Sequence, residues 1–66
     1  MNKKERLEIL RRKIREGRKR KRWTQEFLAY KLGYSSATVI SKWENGKLIP
    51  NGLAMIELIR KLDLKF

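Results

Sequence analysis

The side chains with most to offer a partner lie in one short stretch, YSSATVISKWENG, residues 34–46. Ser36, Ala37, Thr38, Ser41 and Lys42 are small or carry hydrogen-bonding groups, whereas Ile40 and Trp43, three apart, are large and apolar. Residues three and four apart share a helix face, so this pattern anchors one flank and displays the other. The displayed groups suit recognition rather than bond cleavage. The 66 residues contain no cysteine and no histidine, which removes disulfides, zinc fingers, thiol chemistry and histidine acid–base catalysis together. Outside the N-terminal segment the acids Glu26, Glu44, Glu57 and Asp63 stand singly, so neither a carboxylate pair nor a calcium loop is expected. The expectation is a binding protein, not an enzyme, with no cofactor and no metal.

Charge says what kind of partner such a surface suits. Eighteen Lys and Arg against seven Asp and Glu give a net charge of +11 and a pI near 10.6, which favours a polyanion such as nucleic acid or an acidic membrane surface. Residues 1–22 hold 12 of the bases and only 3 of the acids, so most of the attraction sits in the first third. No continuous apolar stretch follows the N-terminal charges and no run is long enough to span a bilayer, so neither a signal peptide nor a membrane protein is expected, and the cytoplasm is the expected location. The length suits one small domain, residues 1–66, with no covalent staple.

The elements that must position the stretch are short helices. In KKERLEILRRKIREGRKRKR, Leu7, Leu10 and Ile14 form one apolar stripe on a charged helix, which Gly17 weakens. Thr24 is a good N-cap for a second helix, TQEFLAYKLG, with Leu28, Ala29 and Leu32 inward and Gly33 at its end. The capping box is incomplete, because Phe27 stands where Glu or Gln belongs. A third helix is expected from an N-cap at Ser36, with Ile40 and Trp43 inward and Asn45-Gly46 ending it. KLIPNG reads as a loop, and from Leu53 onward Met55, Ile56, Ile59 and Leu62 suggest the inner face of a fourth helix.

Two short helices joined by a glycine turn are the helix-turn-helix arrangement. IREGRKRKRWTQEFLAYKLGYSSATVISKWENGKLIP resembles the DNA-binding domain of phage repressors and Cro proteins, the XRE-type family, from about Leu10 to Leu64. The shared features are Thr24-Gln25, Leu28-Ala29, Leu32-Gly33, Ile40, Glu44-Asn45-Gly46 and Pro50. The resemblance implies an all-α fold, a small four-helix, lambda-repressor-like bundle whose third helix is the recognition helix. It implies a transcription regulator, repressor-like, on double-stranded DNA. It also gives Ala37, Thr38 and Lys42 the base-reading positions, with Val39 and Ser41 beside them, and gives Gln25, Asn45, Gly46 and Lys47 phosphate contacts, with Ser36 at the amide end of the same helix. Arg18 matches an arginine that pairs with the glutamate at Glu44. The residue types agree with these roles. Small side chains let a helix approach base edges, Thr38 and Val39 can touch a thymine methyl, and Lys42 can donate to guanine. A homodimer would require a pseudo-palindromic operator.

The chain also departs from the family pattern. One extra residue lies between Gly33 and Glu44, and its expected place is the turn GYSS; inside the helix it would rotate the reading positions by about 100°. Arg22 and Asp63 replace frequent glycines, Gly17 a frequent alanine or leucine, and Phe27 a frequent acid. No fifth helix, which aids dimerisation in several relatives, is expected after Phe66.

Other readings compete for the remaining features. Trp23, Phe27 and Tyr30 form an aromatic stripe. It is either core, with Trp23 inside and Leu64 and Phe66 over the other rings, or a self-association or partner surface, as in an antitoxin-type module with secondary DNA binding. The basic run Arg11 to Arg22 is either a solvated face or a source of salt-sensitive, non-specific affinity for DNA, RNA or membrane.

Overall fold

Asn2 starts the first helix in the computed structural model, which describes residues 1–66: its backbone is extended and its side-chain oxygen accepts the Glu5 N–H at 2.8 Å. Four helices follow, α1 (Lys3–Arg20), α2 (Gln25–Lys31), α3 (Thr38–Glu44) and α4 (Gly52–Leu62), with no strand. Thr24 caps α2 by accepting the Phe27 N–H at 3.0 Å, and Asn51 caps α4 by accepting the Ala54 N–H at 2.9 Å. An Asn-Gly expected as part of a loop therefore opens a helix. No helix is long and apolar enough to cross a membrane.

All four helices close in the same way. A left-handed residue follows the last turn, at Arg22 (φ 59°), Gly33 (φ 84°), Gly46 (φ 74°) and Asp63 (φ 53°). The next amide then returns to a carbonyl five residues back: Trp23 to Arg18 at 3.1 Å, Tyr34 to Ala29 at 2.9 Å, Lys47 to Lys42 at 2.9 Å and Leu64 to Ile59 at 3.1 Å. These are Schellman closures, which satisfy carbonyls that a helix end leaves free. Two use glycine, which tolerates positive φ; the other two are the positions where this chain replaces a family glycine.

The core is one cluster of Ile14, Leu28, Ala29, Ile40, Trp43, Ala54, Leu58, Leu62 and Leu64, with Leu10, Trp23, Leu32, Val39 and Met55 packed against it. Gly17 does not interrupt α1. It is buried, and a Cβ placed there would lie 2.7 Å from Leu64 Cδ2 and 3.2 Å from Leu62 Cβ. The glycine lets the end of α4 approach α1 closely.

Three expectations are corrected. The inner line of α4 is Ala54, Leu58 and Leu62; Met55 is only half-buried, and Ile56 and Ile59 are exposed. Leu62, the last residue of that line, packs against Gly17 of α1. Leu64 and Phe66 do not cover the aromatic stripe: Leu64 packs on Gly17, and Phe66 lies beneath Lys13, whose Nζ is 5.2 Å from the ring centre. Trp23 is half-buried and meets Phe27 edge-on, while Phe27 and Tyr30 remain exposed. Finally, Ser36 is not the N-cap of α3. The cap position is Ala37, already in right-handed helical conformation and without a side-chain cap, because the longer turn runs on by one residue.

Candidate nucleic-acid interface

The register of α3 is set from inside. Ile40 is fully buried and Trp43 is 3 % exposed, so both are in the core as their spacing implies. Tyr34, the residue after the left-handed Gly33, packs edge-on against Trp43 with ring centres 5.8 Å apart. Residues 32–37 form the turn between α2 and α3, and α3 runs from Thr38 to Glu44. With Ile40 and Trp43 inward, Thr38 and Lys42 are exposed, and Ala37, Val39 and Ser41 are half-buried.

Two shallow concavities flank this helix. One, of about 380 Å³, is lined by Gln25, Ala37, Thr38, Ser41, Lys42, Asn45 and Lys47, all of them residues singled out from the sequence. The other, of about 260 Å³, is lined by Tyr34, Ser35, Ser36, Thr38, Val39, Lys42 and Leu48. Thr38 and Lys42, one turn apart, line both and so form the ridge between them. Ser36 donates from its hydroxyl to Thr38 Oγ1 at 3.2 Å and accepts the Thr38 N–H at 3.4 Å, and Asn45 Nδ2 donates to Ser41 Oγ at 3.3 Å. The polar groups at each end of the helix are thereby held in place. Gly46 is exposed in the loop that follows, just outside both concavities.

Beneath the ridge lies a buried ionic clamp. Arg18 Nε donates to Glu44 Oε2 at 2.7 Å and Nη2 to Oε1 at 3.1 Å, while Nη1 reaches the Trp23 carbonyl at 2.7 Å. The side chains are 11 % and 4 % exposed. Gln25 Nε2 donates to Glu44 Oε1 at 3.1 Å, so the clamp ties α1, the start of α2 and the end of α3 together. Lys42 and Lys47 take part in no ion pair, which leaves two free cations on the exposed side.

Arg11 carries no signal in the sequence for the place it takes here. Its guanidinium is gripped by Glu8, with Nε to Oε1 at 3.0 Å and Nη2 to Oε2 at 2.6 Å, and Nη1 donates to the Glu44 carbonyl at 3.4 Å. The hydrogen bonds from Arg11 hold the Glu8 carboxyl below its ordinary range, and Glu8 in turn raises Arg11. A contact between residues 33 apart with a backbone oxygen leaves no periodic trace. Tyr34 also has a role that its sequence position did not assign: the contact expected of a residue after a closing glycine is with the helix just ended, whereas Tyr34 packs on Trp43 of α3.

A bundle in which a short helix is braced by another across a glycine turn, with its outer side accessible, is a helix-turn-helix. The family model described as Helix-turn-helix matches residues 14–66, and the chain belongs to this Cro/C1-type, XRE family of DNA-binding regulators, which are typically not enzymes. The match begins at Ile14 rather than near Leu10 and runs to Phe66. No curated protein and no solved structure matches the chain.

Proposed function

We propose that this chain, as a single domain, binds duplex DNA sequence-specifically, with α3 in the major groove, and represses transcription in the cytoplasm by occupying an operator. The observation that carries the reading is the concavity lined by Gln25, Ala37, Thr38, Ser41, Lys42, Asn45 and Lys47. Thr38 and Lys42, both exposed and one turn apart on α3, are the base readers. Ala37 and Ser41 keep the helix close to the base edges, and Val39 offers methyl contact to thymine. Gln25, Ser36, Asn45, Gly46 and Lys47 hold phosphate oxygens and fix the docking register. Two copies on a two-fold axis would read a pseudo-palindrome with half-sites about one helical turn apart.

Selection of bound duplexes from a random pool tests this. Lys42→Ala should relax preference at one position per half-site, by about 1–3 kcal/mol, whereas Lys47→Ala should weaken all sequences alike. A pool ranked identically by the parent and by Lys42→Ala, with Lys47 still contributing affinity, would remove α3 from recognition. Equal affinity for random and selected duplexes would leave a non-specific binder. Exposed Phe27 and Tyr30 on α2, and Leu53 and Ile56 on α4, favour a second reading as a protein-interaction module. A complex with a host protein that survives nuclease would support it.

A further inference from the structure

Lys4, Glu8, Arg11, Arg15 and Arg18 follow one another at alternating spacings of four and three, which sets them in a single line along α1, and Arg22, in left-handed conformation, lies just past its end. Two contacts fix where the line runs. Arg18 holds the Glu44 carboxylate at 2.7 Å, and Arg11 donates to the Glu44 carbonyl at 3.4 Å. Arg11 also lies against Gly46, where a Cβ would meet its Cδ at 3.5 Å. The line therefore passes beside the end of α3 and the Asn45–Lys47 loop.

Its members divide into two kinds. Arg18 and Arg11 are engaged, the first by Glu44 and the second by Glu8, so they fasten α1 to the loop. Lys4, Arg15 and Arg22 are exposed and make no side-chain hydrogen bond or ion pair. Three other bases are committed: Lys13 donates to the Lys65 carbonyl at 2.7 Å, Arg20 to the Leu62 carbonyl at 3.1 Å, and Lys21 pairs with Asp63 at 3.0 Å. They close the end of α4. Lys3, Arg6, Arg12 and Lys19 are exposed and unpartnered elsewhere on α1, but Lys4 and Arg15 are the two free bases in the line that adjoins the loop assigned to phosphate.

Resting on the placement of α3 in the major groove, we infer that Lys4, Arg15 and Arg22 form a rail that follows the sugar-phosphate backbone of the same duplex beyond the groove seat. From Lys4 to Arg18 the line covers about 21 Å, the rise of roughly six base pairs, so the rail lengthens the footprint. It touches phosphates only and adds affinity without changing sequence preference. Lys4 and the Glu8–Arg11 strut precede residue 14, where the family match begins.

The test compares two double variants with equal loss of charge: Lys4→Gln/Arg15→Gln on the rail, and Arg6→Gln/Lys61→Gln, both exposed and away from it. Binding to one selected duplex is measured between about 0.05 and 0.3 M salt, with phosphate-ethylation interference on the same duplex. The rail variant should flatten the log–log salt slope by roughly 2, lose about tenfold or more in affinity near 0.15 M, and lose interference at phosphates flanking the core site, with its ranking of sequences intact. The control should keep slope and interference. Equal losses in both variants, or none in either, would overturn the rail. A parent protein without any sequence preference, but with the rail-specific change in slope, would instead refute the placement of α3 and leave the rail standing.

Discussion

Replacing Arg18 with alanine removes the two hydrogen bonds that make the Glu44 carboxylate tolerable at 4 % exposure, and leaves it only Gln25 at 3.1 Å. Breaking a buried pair from one side costs about 3–5 kcal/mol, because the surviving charge stays desolvated without its partner. The Trp23 carbonyl also loses its donor at 2.7 Å, a further loss of about 1 kcal/mol. A loss of roughly 4–6 kcal/mol is comparable to the whole stability of a domain this size, roughly 3–10 kcal/mol. The melting midpoint should accordingly fall by roughly 20–40 °C. Urea titration followed by circular dichroism measures the change directly. Arg18→Met/Glu44→Leu should recover most of the loss, since removing both charges eliminates the desolvated carboxylate. A loss below about 1 kcal/mol for Arg18→Ala would mean that the pair behaves as a solvated surface contact. A double variant as unstable as the single one would assign the cost to packing instead.

Arg22→Gly should raise stability by about 1 kcal/mol in urea titration, since an L-residue at positive φ is strained, yet should weaken DNA binding and flatten its salt slope by about 1. Loss of stability, or affinity unchanged at every salt concentration, would contradict it. Gly17→Leu should destabilise by about 1–3 kcal/mol through overpacking against Leu62 and Leu64, also by urea titration, and a neutral result would show that α4 can move away from α1 without cost.

The parts of this molecule legible in its sequence are those fixed by local rules. Thr24 before a polar first turn, Gly33 after Leu32, and Ile40 with Trp43 one turn apart each allow one arrangement, and the chain adopts it. The face of α4 was not legible. Leu53, Ala54, Met55, Ile56, Leu58, Ile59 and Leu62 crowd one helix, so more than one apolar stripe satisfies the period. The choice among them is made by tertiary packing, which buries the line that ends in Leu62 against Gly17 of a different helix. The start of α3 moved by a residue because a turn of unusual length can be closed by backbone conformation at Ala37 in place of a hydroxyl at Ser36. In the candidate site, the roles around α3 rest on the family resemblance and the outward face of Thr38 and Lys42 on the register of Ile40 and Trp43; Arg11 was not legible, because its acceptor is a carbonyl brought near only by folding.

The Lys47 amide bound back to Lys42 at 2.9 Å has a kinetic consequence. A loop tied off by its own helix keeps its shape before any duplex arrives. Under the phosphate role proposed for this loop, capture requires little ordering of the chain at the moment of contact. The rate of encounter is left to diffusion and to the attraction between a cationic protein and a polyanion, and should respond to ionic strength far more than to solvent viscosity coupled to loop closure.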